Sequence, residues 1–337
     1  MRARLKPIAQ QTIVVTGATS GHGLCTARMA AAKGAKVMLA ARDEEALAQA
    51  RDEIRAKGGT AEYVVADVGV EADVQRLADE TVKRFGGFDT WVNNAGIGVY
   101  AETLDLTTDD HRKVFDTNYW GVVHGSVAAA RHLKDKPNGG AIVNVGSING
   151  DMGSPLLASY NASKHAVKGY TDTLRIEMIK NDAPVSVTLI KPSAIGTPFP
   201  EHGRNETGFE AKLPPPVYAP ELVAGAILAA AQSPHRSITV GFSGKFQVLG
   251  ATMLPWLFDQ IAARMSGTLI YFDEPIGDSK GNLYAPQGDN GRVQGRQKGR
   301  RFSAFTSAHL HPWATLGAAA AVGAVGAWLV AGRPERA

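Results

Sequence analysis

Four side chains have types and spacing suited to moving a proton. Tyr160 and Lys164 stand four residues apart in a stretch with helical patterning, so they share one helix face. A phenol with its ordinary pKa near 10 is a poor base. A nearby ammonium favours the phenolate and moves that pKa towards working pH. Ser147, just past the fifth expected strand of the main series, can hydrogen-bond a carbonyl oxygen. Asn118 lies on the preceding helix. Each has an ordinary reading alone, since Tyr-x-x-x-Lys usually marks a solvated lysine.

A second group is built to meet phosphate. Thr16-Gly17-Ala18-Thr19-Ser20-Gly21-His22-Gly23 closes an apolar run and opens a helical one. Glycines there let the backbone turn tightly and approach a pyrophosphate, which the helix N-terminus attracts with free N–H groups. The strand–loop–helix setting separates this from a glycine-rich turn. An acid usually ends the next strand where a ribose 2′-hydroxyl must be held. This chain has Ala40-Ala41-Arg42 instead. Arg42 can pair with a 2′-phosphate and Ala41 adds no repulsion, so NADP is the expected cofactor. Asp67, after the third strand, is placed to meet the adenine edge.

These residues need a scaffold, and the first two-thirds of the 337-residue chain supply one. Strands are expected at 12–16, 36–41, 61–66, 90–93, 141–145, 185–190 and 238–242. Helices are expected at 22–33, 44–57, 71–85, near 108–133, 158–181 and 220–232. Strands about 25 residues apart with helices between them imply right-handed βαβ units. The expected fold class is α/β: one Rossmann-type, doubly wound parallel sheet over residues 1–270, followed by a C-terminal extension. Residues 197–219 contain Pro214-Pro215-Pro216 and read as a mobile flap without elements. Residues 271–312 are polar, glycine-rich and basic, and read as a linker or surface-hugging tail.

Composition narrows the function classes. With 44% hydrophobic and 20% charged residues the chain can bury a large core. One cysteine, Cys25, excludes an internal disulfide and a cysteine-only metal site; no metal is expected. The net charge is +4, but eight Lys/Arg against five Asp/Glu fall after residue 270. The main domain is thus nearly neutral and not suited to nucleic acid.

Together the motifs resemble the short-chain dehydrogenase/reductase family. Thr16-Gly17-x-x-x-Gly21-x-Gly23 is similar to its cofactor loop, and Asn93-Asn94-Ala95-Gly96 to its strand-four motif. Asn118, Ser147, Tyr160 and Lys164 match its catalytic tetrad in order and spacing, and Pro192-Ser193 stands where the family often has Pro-Gly. The likeness covers roughly residues 8–265. It implies that Tyr160 exchanges a proton with the carbonyl or alcohol, Lys164 binds the nicotinamide ribose and lowers the tyrosine pKa, Ser147 orients the substrate oxygen, and Asn118 holds a relay water. It further implies that Asn94, Gly96, Ile195 and Thr197 line the cofactor. Gly17, Thr19, Ser20, Gly21, His22, Gly23, Val68, Ala95 and Pro192 complete that set. A homo-oligomer is also expected.

Three residues depart from the pattern or stand beside it. His22 replaces the usual aliphatic residue and is expected to be a partly exposed loop histidine. Ser193 replaces glycine. His165 follows the catalytic lysine and is expected to point away. The substrate walls are read as Ile97, Ile148, Asn149, Met152, Leu156, Leu157, Ile195 and Phe199, which suits a small to medium hydrophobic carbonyl or alcohol. Residues 313–331 carry no charge and are long enough to span a bilayer. A C-terminal membrane anchor on a cytoplasmic domain is the leading reading of them, ahead of a packed or oligomer-forming helix. Carbonyl reduction or alcohol oxidation is the leading function. A non-catalytic NADP sensor or membrane-recruited scaffold is the alternative, as is a lyase or epimerase using the same tyrosine.

Overall fold

The computed structural model describes residues 3–275, 277, 279–287, 291–310 and 315. The apolar runs that interrupt the helical patterns become strands, the central ones buried on both faces, as a sheet covered on both sides requires. In chain order these begin with β1 (Thr12–Thr16), α1 (Gly21–Ala32), β2 (Lys36–Ala41), α2 (Glu44–Ala56), β3 (Thr60–Val65), α3 (Glu71–Phe85) and β4 (Thr90–Asn93). A two-residue β5 (Val99–Tyr100) precedes α4 (Thr108–Phe115). A π-helical turn at Asp116–Trp120 joins α4 to α5 (Gly121–Leu133). Then follow β6 (Gly140–Val145), α6 (Ala158–Lys180) and β7 (Val185–Pro192).

Seven parallel strands form the sheet, in the order β10-β7-β6-β4-β1-β2-β3, with β10 at Ser237–Val240. The chain winds outward from β1 in one direction, then returns to β4 and winds the other way. The crevice at that reversal, beyond the strand C-termini, is where such sheets bind ligands. One apolar layer, with Val15, Leu24 and Ile227, lies on one face of the sheet. The other, with Met38, Trp91 and Leu133, lies on the opposite face. Gly125 of α5 permits the close approach on that second face. A Cβ there would lie 2.0 Å from Asn93 Oδ1.

The segment expected to be a flap carries short elements: α7 (Phe199–His202), β8 (Arg204–Asn205) and β9 (Phe209–Ala211). β8 pairs with β5, and β9 with β11 (Tyr271–Pro275). Backbone pairing with distant strands, which Pro and Gly content does not reveal, holds it. α8 (Pro220–Gln232) packs on α1. The strand expected to reach Phe242 ends at Val240. Gly241, at φ +97°, turns the chain into α9 (Phe242–Met253), which α10 (Pro255–Ile270) follows. The extension ends its described part in α11 (Ala304–Leu310), against β10. Among the described residues no helix is long and apolar enough to cross a membrane. The uncharged stretch 313–331 lies outside the described residues except Thr315.

Candidate active site

The glycine loop forms because β1 must hand over to α1 within four residues. Gly17 and Gly21 take left-handed φ values of +64° and +53°. A Cβ on Gly17 would sit 2.8 Å from Ala95 Cα, and one on Gly23 would sit 2.2 Å from Gly17 O. Only glycine keeps the loop this close to the β4 turn. Thr16 ties the two together, its Oγ1 accepting from the N–H groups of Asn94 (3.0 Å) and Ala95 (3.1 Å).

His22 is partly exposed, as the sequence suggests, but it belongs to a helix rather than to the loop. It lies in the first turn of α1, and Nδ1–H donates to Asn94 Oδ1 at 2.6 Å. Asn94 donates its own amide to the carbonyls of Thr16 and Gly17, which leaves its oxygen as the acceptor and fixes the histidine tautomer. Burial lowers the His22 pKa to about 4, despite the opposing hydrogen bond from Asn94. A neutral imidazole therefore braces the glycine loop against the β4 motif.

Two cavities meet over this brace. The first is lined by Gly17, Thr19, Ser20, Gly21, His22, Arg42, Asp67, Val68, Asn94, Ala95, Gly96 and Thr197. Of the residues expected to surround the adenosine and pyrophosphate, only Gly23 does not face it; its part is the close packing described above. Ala41, Thr117, Pro198 and His202 also face it, as do Asn282, Pro286 and Gln287 of the extension. The glycine cradle, the helix N-terminus and the absence of an acid at the end of β2 all fit a phosphorylated dinucleotide. Asp67 accepts from Gly69 N–H (2.9 Å) and Lys113 (3.1 Å), which fixes it at the adenine end.

The second cavity contains Ser147, Tyr160, Lys164, Pro192, Ile195 and Thr197, and shares His22, Asn94, Gly96, Thr197 and Phe199 with the first. Ser147 ends the loop after β6, and its Oγ accepts from Asn149 N–H at 3.1 Å, which leaves its own proton to aim at a ligand. The Tyr160 and Phe199 rings meet tilted at 55°, with their centres 5.3 Å apart. Lys164 is 4% exposed and donates to Val145 O at 2.9 Å. Asn118 sits in the π-helical turn, a distortion that re-aims a side chain. Fully buried, it exchanges hydrogen bonds with Ile97 N and O and donates to Ser163 Oγ at 3.0 Å. His165 is exposed, as expected.

The electrostatics reverse one expectation. Burial raises the Tyr160 pKa to about 12, against a lowering hydrogen bond from Ser147. Burial also lowers Lys164 to about 8. The lysine's own desolvation weakens the charge that was to stabilise phenolate, so the resting tyrosine keeps its proton.

Among the expected substrate walls, Ile148, Asn149, Met152, Leu157, Ile195 and Phe199 line the second cavity. Ile97 faces the first instead. Leu156 turns inward with φ +65° and is buried. The sequence reading missed the far wall, which comes from Leu213, Pro214 and Pro215 and from Gln247, Phe258, Ile261 and Ala262 of the α9–α10 hairpin. That hairpin also presents Phe246, Met253 and Trp256 to solvent.

The short chain dehydrogenase family profile matches residues 11–207. The chain belongs to this family. An oxidoreductase of Bacillus subtilis strain 168 named YxnA, described as uncharacterized, is 40% identical over 335 residues, spanning 98% of this chain and 93% of its own. The 3beta-hydroxysteroid dehydrogenase 1 of Eggerthella lenta is 33% identical over 78% of this chain and 92% of its own. The crystal structure of a short-chain dehydrogenase/reductase from Mycobacterium marinum superposes with a TM-score of 0.61 at 26% identity, covering 69% of this chain and 95% of that one. As a short-chain dehydrogenase the protein is an oxidoreductase acting on CH–OH or carbonyl groups with a nicotinamide cofactor.

Proposed function

We propose that the chain is an NADP-dependent reductase of hydrophobic ketones or aldehydes, reversible towards the alcohols. The observation that carries this reading is the position of Tyr160 and Ser147 where the dinucleotide cavity opens into an apolar cleft. The cleft has a volume of about 460 Å³, within the roughly 300–1,000 Å³ of common ligand pockets. That size and the apolar lining suit the small to medium hydrophobic substrate expected from the sequence. The Eggerthella relative, named for a hydroxysteroid, agrees in kind. Arg42 supports NADP, because no carboxylate at the end of β2 opposes a 2′-phosphate.

When bound, the nicotinamide supplies the hydride chemistry. The chain's residues do the rest. Ser147 donates to the substrate oxygen and sets its distance from Tyr160. Tyr160 transfers its phenolic proton to that oxygen as negative charge develops there. The Lys164 ammonium, 5.5 Å from the ring centre, stabilises the phenolate left behind. Asn118 holds the Ile97 backbone and anchors α6 through Ser163, so the proton donor keeps its place. Homo-oligomeric assembly, usual in the family, is part of the same proposal. The test is NADPH consumption across a panel of aliphatic, aromatic and polycyclic ketones. Turnover of the small to medium members with NADPH over NADH is expected. NADPH binding without consumption by any ketone or aldehyde would refute it.

A further inference from the structure

The C-terminal extension runs across the mouth of the first cavity and is bonded to both of its walls. On the glycine-loop side, Gly291 N–H donates to Thr19 O (2.8 Å) and Gly21 N–H donates to Arg292 O (2.9 Å). Three residues later, Gly295 N–H donates to Gly196 O (3.1 Å) on the nicotinamide side. Glu201 clasps the crossing, pairing with Arg292 at 3.0 Å and accepting from Arg296 N–H at 2.6 Å. The fit is close. A Cβ on Gly295 would lie 2.4 Å from Thr197 O, and one on Gly299 2.1 Å from Tyr218 O.

At the adenosine end the same extension faces the ligand. Arg42 donates to the carbonyls of Asn282 and Leu283. Asn282 lines the cavity, and its buried Oδ1 has no hydrogen-bond partner among the described residues. A buried acceptor left unpaired costs about 1–3 kcal/mol. A ligand hydroxyl or amine in the cavity would remove that cost.

We propose that residues 282–287 and 291–299 are a third wall of the dinucleotide site. Asn282 Oδ1 accepts a hydrogen bond from the adenosine half, and the crossing at 291–295 sets how fast the dinucleotide leaves. This rests on the dinucleotide reading above. Release follows opening of the crossing, so it is slow, whereas a site open to solvent on this side exchanges freely.

The experiment is stopped-flow displacement of NADPH from the full chain by excess NADP, followed by NADPH fluorescence, with Kd measured alongside. Gly299→Val, which drives a side chain into the Tyr218 backbone, and Glu201→Gln, which only weakens the clasp, should each speed release about tenfold. Asn282→Leu should raise the Kd for NADPH by about tenfold. Wild-type release speed in Glu201→Gln, or an unchanged Kd in Asn282→Leu, overturns the third wall while leaving the dinucleotide reading intact. A wild-type chain that does not bind NADPH overturns both.

Discussion

The Lys164 ammonium lies 5.5 Å from the centre of the Tyr160 ring and holds the Val145 carbonyl at 2.9 Å. With Lys164 lowered to about 8 and Tyr160 raised to about 12, there is a range of pH in which both are protonated. Below about 8 the tyrosine can give its proton and the lysine can stabilise the anion that results. As pH rises through about 8 the lysine loses its charge while the tyrosine still holds its proton. Carbonyl reduction at saturating NADPH should therefore decline above pH 8, about tenfold per unit. A rate flat to pH 10 would remove the lysine charge from the step.

Tyr160→Phe keeps the ring on Phe199 and removes the proton. Turnover should fall at least about 100-fold, with NADPH affinity near wild type. Near-normal turnover in this variant would mean that another group supplies the proton.

Cofactor preference tests Arg42. The wild-type chain should use NADPH over NADH, because a charge-assisted contact to the 2′-phosphate contributes about 1.5–3 kcal/mol. Ala41→Asp combined with Arg42→Ala should reverse that order in kcat/KM. Equal use of both cofactors by the wild type would show that Arg42 serves the extension alone.

His22 makes an acid-stability prediction. Its folded pKa of about 4 lies below the unfolded value of 6.5. Between those values the unfolded chain takes up a proton that the folded chain refuses, so stability is lost as pH falls from 6.5 to 4. His22→Asn can still donate towards Asn94 and does not titrate. Its melting temperature should drop less than that of wild type over this window. Parallel curves for the two proteins would count against a neutral imidazole at this position.

Gly125→Ala tests the packing beneath the site. The added methyl meets Asn93 Oδ1 at 2.0 Å and Trp91 Nε1 at 2.6 Å, which already bond each other. Loss of about 3 kcal/mol in denaturant unfolding is expected from overpacking and a strained buried pair. Wild-type stability would show that α5 can shift away freely.

The sheet was legible because each of its strands is an apolar run of the right length between helical patterns. That Ser147, Tyr160 and Lys164 meet at one cavity was legible because Ser147 follows a strand end and the other two share a helix face four residues apart. The sign of the Tyr160 shift was not, since it depends on how deeply Lys164 is buried, and a four-residue spacing does not give depth. The reach of the extension was hidden for another reason. Its bonds at Thr19, Gly21 and Gly196 join main chain to main chain, which leaves no side-chain signature. The remaining trace is the four-residue spacing of Gly291, Gly295 and Gly299, and two of these are the points of closest approach. The far wall of the cleft was missed because α9 and α10 come after the last sheet strand, where no βαβ rhythm constrains the reading.

The crossing at 291–295 also fixes an order of events in biosynthesis. Every strand of the sheet and all four tetrad residues precede it in the chain, so they leave the ribosome first. Domains begin to fold from the N-terminal side while synthesis continues. During that interval the nascent site has its floor and two sides but no cover, and a dinucleotide can enter from the open face. Later synthesis then lays the 291–295 segment over that face.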